Sequence, residues 1–192
     1  MTVWEERYQR GETGWDRGGV SPALTQLVDH LHLEARVLIP GCGRGHEVIE
    51  LARLGFRVTA IDIAPSAIAH LSQQLEQEDL DAELVNGDLF AYAPDQCFDA
   101  VYEQTCLCAI EPEQRADYEQ RLHGWLKPEG ILYALFMQTG MRGGPPFHCD
   151  LLMMRELFDA SRWQWPEETG AVLVPHKNGR FELGHMLRRT GR

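Results

Sequence analysis

Arg36-Val37-Leu38-Ile39-Pro40-Gly41-Cys42-Gly43-Arg44-Gly45 decides how the rest of the chain folds. Its first half is a short apolar run, the pattern of a buried strand. Its second half carries three alternate glycines, and Glu47 to Leu54 then recurs at helical spacing, with Gly55 placed as the C′ residue. A strand that stops at a glycine loop and restarts as a helix is the opening unit of a doubly wound α/β sheet.

The same alternation continues downstream. Arg57 to Ile63 reads as a second strand, and Pro65 opens a helix whose apolar face is Ile68, Leu71 and Leu75. Ala82 to Val85 and Phe98 to Glu103 supply a third and a fourth strand. Pro112 to Leu126 is a helix with Tyr118, Leu122 and Trp125 on one face, and Pro128-Glu129-Gly130 turns into a fifth strand, Ile131 to Met137. Upstream, Ser21-Pro22 caps a helix carrying Leu24, Leu27, Val28 and Leu31. Right-handed crossovers then set the ends of strands one and four side by side.

After Met137 the pattern changes. Residues 138 to 149 hold three glycines and two prolines and read as a loop; Asp150 caps a last helix, Leu151 to Ala160. Ala171 to Val174 and Phe181 to Leu187 flank His176-Lys177-Asn178-Gly179, whose Asn-Gly pair marks a hairpin. The expected fold is therefore α/β and Rossmann-like: a mostly parallel seven-stranded sheet, helices on both faces, and an antiparallel hairpin at the end.

Bulk properties narrow the partners. The chain has 192 residues, the size of a single domain over 1–192. It carries 29 acidic and 18 basic residues, a net charge of −11, which repels nucleic-acid phosphates and anionic lipid. Arg188, Arg189 and Arg192 read as a solvated tail. The N-terminus lacks the apolar core of a secretory leader, and no apolar run has the length of a membrane span. Five cysteines, an odd number, fit free thiols in a reducing cytoplasm. Cys106-x-Cys108 is not a zinc-pair spacing, so the expectation is no metal and cysteines acting as small core hydrophobes.

The glycine loop is the candidate ligand site. Gly41 permits the tight turn, Gly43 lets a ligand approach the backbone, and Gly45 lets helix and strand pack closely. Free N–H groups at the helix start then face the ligand. Asp62 ends strand two, 21 residues after Gly41, where a carboxylate accepts hydrogen bonds from ribose hydroxyls. Asp88, in Asn86-Gly87-Asp88-Leu89, either reaches an adenine edge or is a surface turn residue. A dinucleotide loop, G-x-G-x-x-G, would need its third glycine at position 46, which is His46.

Ile39 to Gly45, with Ala60-Ile61-Asp62-Ile63-Ala64 downstream, resembles the class I methyltransferases. More narrowly the chain resembles the thiopurine S-methyltransferase family, nearest its branch acting on thiols and halide ions. Pro40 before the first glycine carries that likeness, as do Trp4, Tyr8 and Trp15-Asp16, the segment from Phe98-Asp99 to Cys108-Ala109-Ile110, and Gly179 to Arg189. The resemblance implies S-adenosyl-L-methionine as cofactor, S-adenosyl-L-homocysteine as product, a small-molecule acceptor and a monomer. It places the cofactor contacts on Trp4, Tyr8, Trp15, Gly41, Gly43, Asp62, Asp88, Leu89 and Gln104. At Gln104 relatives often carry Tyr or Arg, so neither shape nor charge is preserved there. Residues 1–20 are implied to form an aromatic lid; the residues alone favour instead an amphipathic helix in which Trp4 and Tyr8, at i and i+4, anchor on the core.

The acceptor side is less defined. Glu103, ending strand four, reads either as a proton acceptor or as a solvent-facing strand-end acid. Phe147 and Met141 are candidates for an apolar wall, and His148 reads either as a base or, by preference, as a loop residue. A nucleotide-dependent oxidoreductase and a non-catalytic S-adenosylmethionine-binding protein remain as alternatives.

Overall fold

The computed structural model describes residues 1–167, 171–176 and 179–191. Its centre is one mixed sheet. Strands β1 (Arg36–Pro40), β2 (Arg57–Asp62), β3 (Glu83–Asn86), β4 (Phe98–Gln104) and β5 (Leu126–Gln138) run parallel in the order β3-β2-β1-β4-β5. The order reverses between β1 and β4, which pair directly through Val37↔Ala100 and Leu38↔Val101. That switch point opens a crevice at the carboxyl ends of the strands, where the glycine loop begins.

The antiparallel finish is present. β8 (Phe181–Arg189) pairs with β5 from Ile131↔Arg188 to Gln138↔Phe181. Its other edge holds two short strands, β7 (Val172–Pro175) on residues 181–184 and β6 (Trp163–Gln164) on residues 188–189. Eight strands thus fill the seven expected positions, the outermost being shared. β6 was not legible, because two residues carry no periodicity. Lys177 and Asn178 of the expected turn lie outside the described residues. Arg188 and Arg189 are not a solvated tail: both belong to β8, and the Arg189 guanidinium donates to the Leu126 carbonyl. Arg192 lies outside the described residues.

Helices cover both faces. α2 (Leu24–Val28), α3 (His46–Arg53) and α4 (Pro65–Gln77) pack Leu24, Leu27, Val48, Leu51, Leu71 and Leu75 against Val37, Ile39, Ala60 and Tyr133. α5 (Arg115–Trp125) and α6 (Leu151–Leu157) cover the other face, where Tyr118, Leu122 and Met154 meet Leu38, Val101, Leu132 and Phe136. Val37 and Ile39 go one way and Leu38 the other, the alternation a twice-covered strand requires. α2 starts after Ala23 rather than at Ser21, whose hydroxyl accepts from Ala23 N–H. The helix expected from Pro112 opens as a 3₁₀ turn, Pro112–Gln114, before α5. Asp150 caps α6 as expected, accepting from Leu152 and Met153 N–H. The remaining helix, α1 (Val3–Arg10), lies outside these layers against α4. No helix among the described residues is long and apolar enough to cross a membrane.

Candidate functional site

The glycine loop sits where the sequence puts it, and its three glycines have separate reasons. All three have positive φ, at 59°, 57° and 73°. A Cβ on Gly41 would meet Cys106 Sγ at 2.9 Å, and one on Gly43 would meet Tyr8 Oη at 3.1 Å. A Cβ on Gly45 would stand 2.4 Å from Leu71 Cδ1, so this glycine serves helix-to-helix packing against α4, not the helix-to-strand contact expected of it.

Asp62 closes the loop from below. Its Oδ2 accepts from Gly43 N–H and its Oδ1 from Ala64 N–H, both at 2.9 Å. Gly43 N–H is therefore engaged and not free for a ligand, a correction to the expectation for the helix start. Burial pushes the Asp62 carboxyl above its ordinary range, against the pull of those two hydrogen bonds.

A cavity of about 590 Å³ opens over this floor. Gly41, Asp62, Asp88 and Leu89 line one end, and Trp4, Tyr8 and Trp15 line it from above. Asp88 is a turn residue, its Oδ1 accepting from Phe90 N–H at 2.9 Å, and it also lines the cavity. The Trp15 ring stands edge-on to Trp4 at 5.3 Å and to Tyr8 at 5.6 Å between centroids. Such edge-to-face pairs hold ring orientation beyond what area burial supplies.

Two carboxylates hold this aromatic segment in place. Glu5 on α1 accepts from Ser66 N–H at 3.0 Å and Ser66 Oγ at 2.6 Å, at the start of α4. Asp16 lies 3.0 Å from Arg44 Nε and 2.9 Å from His46 Nε2, at the start of α3. The N-terminal helix is thus anchored on the body, through Glu5 and not through Trp4 and Tyr8 as the sequence allowed; those two rings line the cavity instead.

A second cavity of about 60 Å³ adjoins the first through Trp15, Gly41 and Thr105. Gly43 and Gln104 line this smaller space and not the larger one. Strand alternation turns Gln104 to the Tyr102 side: its Oε1 accepts from Tyr102 Oη at 3.1 Å, and its Nε2 donates to Glu182 Oε2 at 2.8 Å. Arg17 borders the same space, with Nη1 donating to the Pro175 carbonyl at 2.9 Å.

The far wall of the large cavity is the turn after β4. Cys106, Cys108, Ala109 and Ile110 line it, together with Met137 and with Pro145-Pro146, whose neighbour Phe147 donates its N–H to the Cys108 carbonyl at 2.7 Å. Pro145 and Pro146 take the place expected of Phe147 and Met141; Met141 is 57% exposed. His148 is a loop residue, its Nδ1 accepting from Thr139 N–H at 3.2 Å.

Glu103 matches neither of its readings. It is fully buried, not solvent-facing, because the 105–110 turn folds over it; its Oε1 accepts from Leu107 N–H at 2.6 Å. It does not line the cavity and so touches no reacting atom; it props the wall from behind. Burial raises its pKa to about 7. Four of the five cysteines are buried, as expected of core residues, and Cys97 is exposed. Burial also pushes the Cys106 and Cys108 thiols far up, so both stay protonated.

Arg7, His176 and Arg180 also line the large cavity and were not singled out from sequence. Arg7 had a signal, since it shares the i, i+3, i+4 face with Trp4 and Tyr8 and stacks over Trp4 at 5.1 Å. His176 and Arg180 had none, because only the hairpin brings them there.

Comparison with known proteins agrees with this geometry. The profile of the thiopurine S-methyltransferase family matches residues 1–183. The chain is 32% identical over 187 residues to thiocyanate methyltransferase 1 of Arabidopsis thaliana, which covers 94% of this chain and 82% of that protein. It is 33% identical over 180 residues to the thiopurine S-methyltransferase of Xanthomonas euvesicatoria pv. vesicatoria (strain 85-10), covering 84% of this chain and 82% of that one. The solved structure of Burkholderia thailandensis 1,6-didemethyltoxoflavin-N1-methyltransferase matches with a TM-score of 0.79 at 22% identity, over 97% of this chain and 85% of that one, a likeness of fold. Because the family match starts at the aromatic segment and runs into β8, well beyond the glycine-loop unit alone, the chain belongs to the thiopurine S-methyltransferase family.

Proposed function

We propose that residues 1–192 act as one methyltransferase domain that binds S-adenosyl-L-methionine in the larger cavity and passes its methyl group to a small nucleophile of the thiol, thiopurine or halide type. One observation carries the placement: the Trp4, Tyr8 and Trp15 rings face Gly41 and Asp62 across a single cavity. Family membership supports the activity.

The residues present fit such a ligand. Gly41 and Gly43 leave a cradle that a side chain would fill, and Asp62 has acceptor capacity left for ribose hydroxyls after its two backbone bonds. When bound, the cofactor supplies a methyl group on a positively charged sulfur. Ring faces attract a cation by roughly 0.5–2 kcal/mol, so Trp4, Tyr8 and Trp15 suit that charge. Asp88 and Leu89 border the adenine end, while Gly43, Gln104 and Arg17 border the small space for the amino-acid end. The aromatic cap excludes water, and the shared walls hold donor and acceptor in line.

A non-catalytic binder would share every cofactor contact and differ in turnover. The dinucleotide reading loses support because His46, where a third glycine would stand, is engaged by Asp16. We place the protein in the cytoplasm as a monomer without nucleic-acid or membrane partners, consistent with its net charge of −11. Calorimetry tests the cofactor: S-adenosyl-L-homocysteine binds and NADH does not. The opposite result overturns the proposal. A panel of iodide, hydrosulfide, small thiols and thiopurines, assayed for methylated product, then separates enzyme from binder.

A further inference from the structure

A fully buried carboxyl is joined to the smaller cavity through a single side chain. Glu182 of β8 has no exposure and lines neither cavity. It reaches its place through strand pairing, opposite Met137 on one side and Val174 on the other. Its Oε2 accepts from Gln104 Nε2 at 2.8 Å and lies 4.0 Å from Arg17 Nη1. Its Oε1 is buried with no hydrogen-bond partner among the described residues. A carboxyl kept so far from water, with half of its acceptor capacity unused, is costly, and packing alone gives no reason for it.

The partner it does have is a side chain with two chemically different ends. An amide oxygen accepts and an amide nitrogen donates, whereas an ionised carboxylate only accepts. Glu182 in its charged form can therefore meet only the Nε2 end of Gln104. The phenol of Tyr102 can donate or accept, so it tolerates either end. Glu182 is thus the contact that decides which way the amide faces. With Nε2 on Glu182, Oε1 turns to Tyr102 Oη at 3.1 Å, and Tyr102 lines the smaller cavity. One lone pair of that oxygen takes the phenol proton and the other remains.

The charge on Glu182 depends on its surroundings. Burial raises its pKa to about 7, against the Gln104 bond and Arg17 and with the charge of Glu47 on α3. Glu103 on β4 and Glu182 repel each other when both are ionised. The other titratable groups that sense Glu182 are Tyr102, Tyr133, Cys108 and Cys149, and burial keeps all four protonated and neutral.

We infer that Glu182 is a positioning residue for the amino-acid end of the cofactor: it holds the Gln104 amide so that the carbonyl oxygen, and not the amide nitrogen, is offered to the ligand's ammonium group. This rests on the methyltransferase reading above, with the amino-acid end in the smaller cavity. Glu182 touches no ligand atom and acts through Gln104. A protonated Glu182 can donate as well as accept, so it no longer dictates the amide's direction. In the turned amide two N–H groups stand where the ammonium needs an acceptor.

Calorimetry with two ligands tests this on the whole protein. S-adenosyl-L-homocysteine carries the amino-acid end; 5′-methylthioadenosine keeps the nucleoside and the thioether and lacks it. Near pH ~8, Glu182→Gln should weaken S-adenosyl-L-homocysteine on the order of tenfold and leave 5′-methylthioadenosine within about twofold. In a Gln104→Met background the same substitution should change neither ligand. In the wild type, the preference for S-adenosyl-L-homocysteine over 5′-methylthioadenosine should fall as pH drops from ~8 to ~6, a trend that needs no variant to fold and that Glu182→Gln should flatten. Glu103 titrates in the same range but does not distinguish the two ligands, so it cancels from the preference. Equal loss of both ligands in Glu182→Gln, or loss of neither, would make the residue structural and overturn the inference. So would a loss that persists without Gln104, or a wild-type preference that does not move with pH. Any of these with S-adenosyl-L-homocysteine still bound to the wild type overturns this inference alone; no binding to the wild type overturns the cofactor reading with it.

Discussion

Replacing Glu103 by Gln probes the packing behind the cavity wall. The Glu103 carboxyl has no exposure, one oxygen accepts from Leu107 N–H, and Oε2 has no partner among the described residues. Burial raises its pKa from 4.5 to about 7, with the charge of Glu182 adding to the rise and the Leu107 bond opposing it. A folded pKa above the unfolded one means that the native state holds the proton more tightly. The resulting stabilisation is complete below the unfolded value and is lost as pH rises through about 7. Each pH unit of displacement is ~1.4 kcal/mol, so ionising Glu103 inside the fold opposes stability by ~3 kcal/mol near pH 8. Gln keeps a carbonyl oxygen for Leu107 and carries no charge. Urea unfolding should therefore show wild type and Glu103→Gln close together near pH ~5, and the variant more stable by ~2–3 kcal/mol near pH ~8. Glu182, itself raised to about 7 by burial, is present in both proteins, but its repulsion of the Glu103 charge acts in the wild type alone and so adds to the difference. Parallel pH curves for the two proteins would refute the reasoning, because they would show that Glu103 does not titrate in this window.

Three further outcomes follow from single contacts. Asp62→Ala removes the acceptor for Gly43 and Ala64 N–H and should weaken S-adenosyl-L-homocysteine binding at least ~10-fold by calorimetry; unchanged affinity contradicts the ribose assignment. Gly45→Ala adds positive-φ strain and a clash with Leu71, for a loss of ~2–4 kcal/mol in urea unfolding. In a Leu71→Ala background the clash part should vanish, and simple additivity of the two losses would contradict it. Asp16→Ala frees the cap from Arg44 and His46 and should cost cofactor affinity about 10-fold with a smaller effect on the urea midpoint; a change confined to the midpoint would make the segment structural only.

What the sequence made legible was local. Gly41, Gly43 and Gly45 declare their positive φ by residue type, Asp62 declares itself by its place at a strand end, and Pro65 and Asp150 mark helix starts. The misread residues share a different property: contacts made across long stretches of chain decide them. Glu103 looks like a strand-end acid until the 105–110 turn covers it. Gln104 turns by alternation toward Tyr102 and Glu182, the latter 78 residues away, and so borders the smaller cavity and not the larger one. Glu5 meets Ser66 across 61 positions, and Asp16 meets His46 across 30. Arg180 lines the larger cavity because the chain enters β8 beside the end of β5, a pairing that no periodicity within either strand specifies.

Those distant acids also explain what separates this site from a dinucleotide site on the same scaffold. In a doubly wound sheet the donors at the first helix starts face a ligand phosphate. Here the chain's own carboxylates take much of that role. Asp62 occupies Gly43 N–H, Glu5 occupies Ser66 N–H at the start of α4, and Asp16 sits against Arg44 and His46 at the start of α3. His46 is thus more than a missing glycine: it is half of the grip on the segment that carries Trp15. A ligand entering this cavity meets aromatic faces and the Asp62 carboxylate where a phosphate would meet free N–H groups. That environment suits a ligand with ribose hydroxyls and a positive charge better than one with a pyrophosphate.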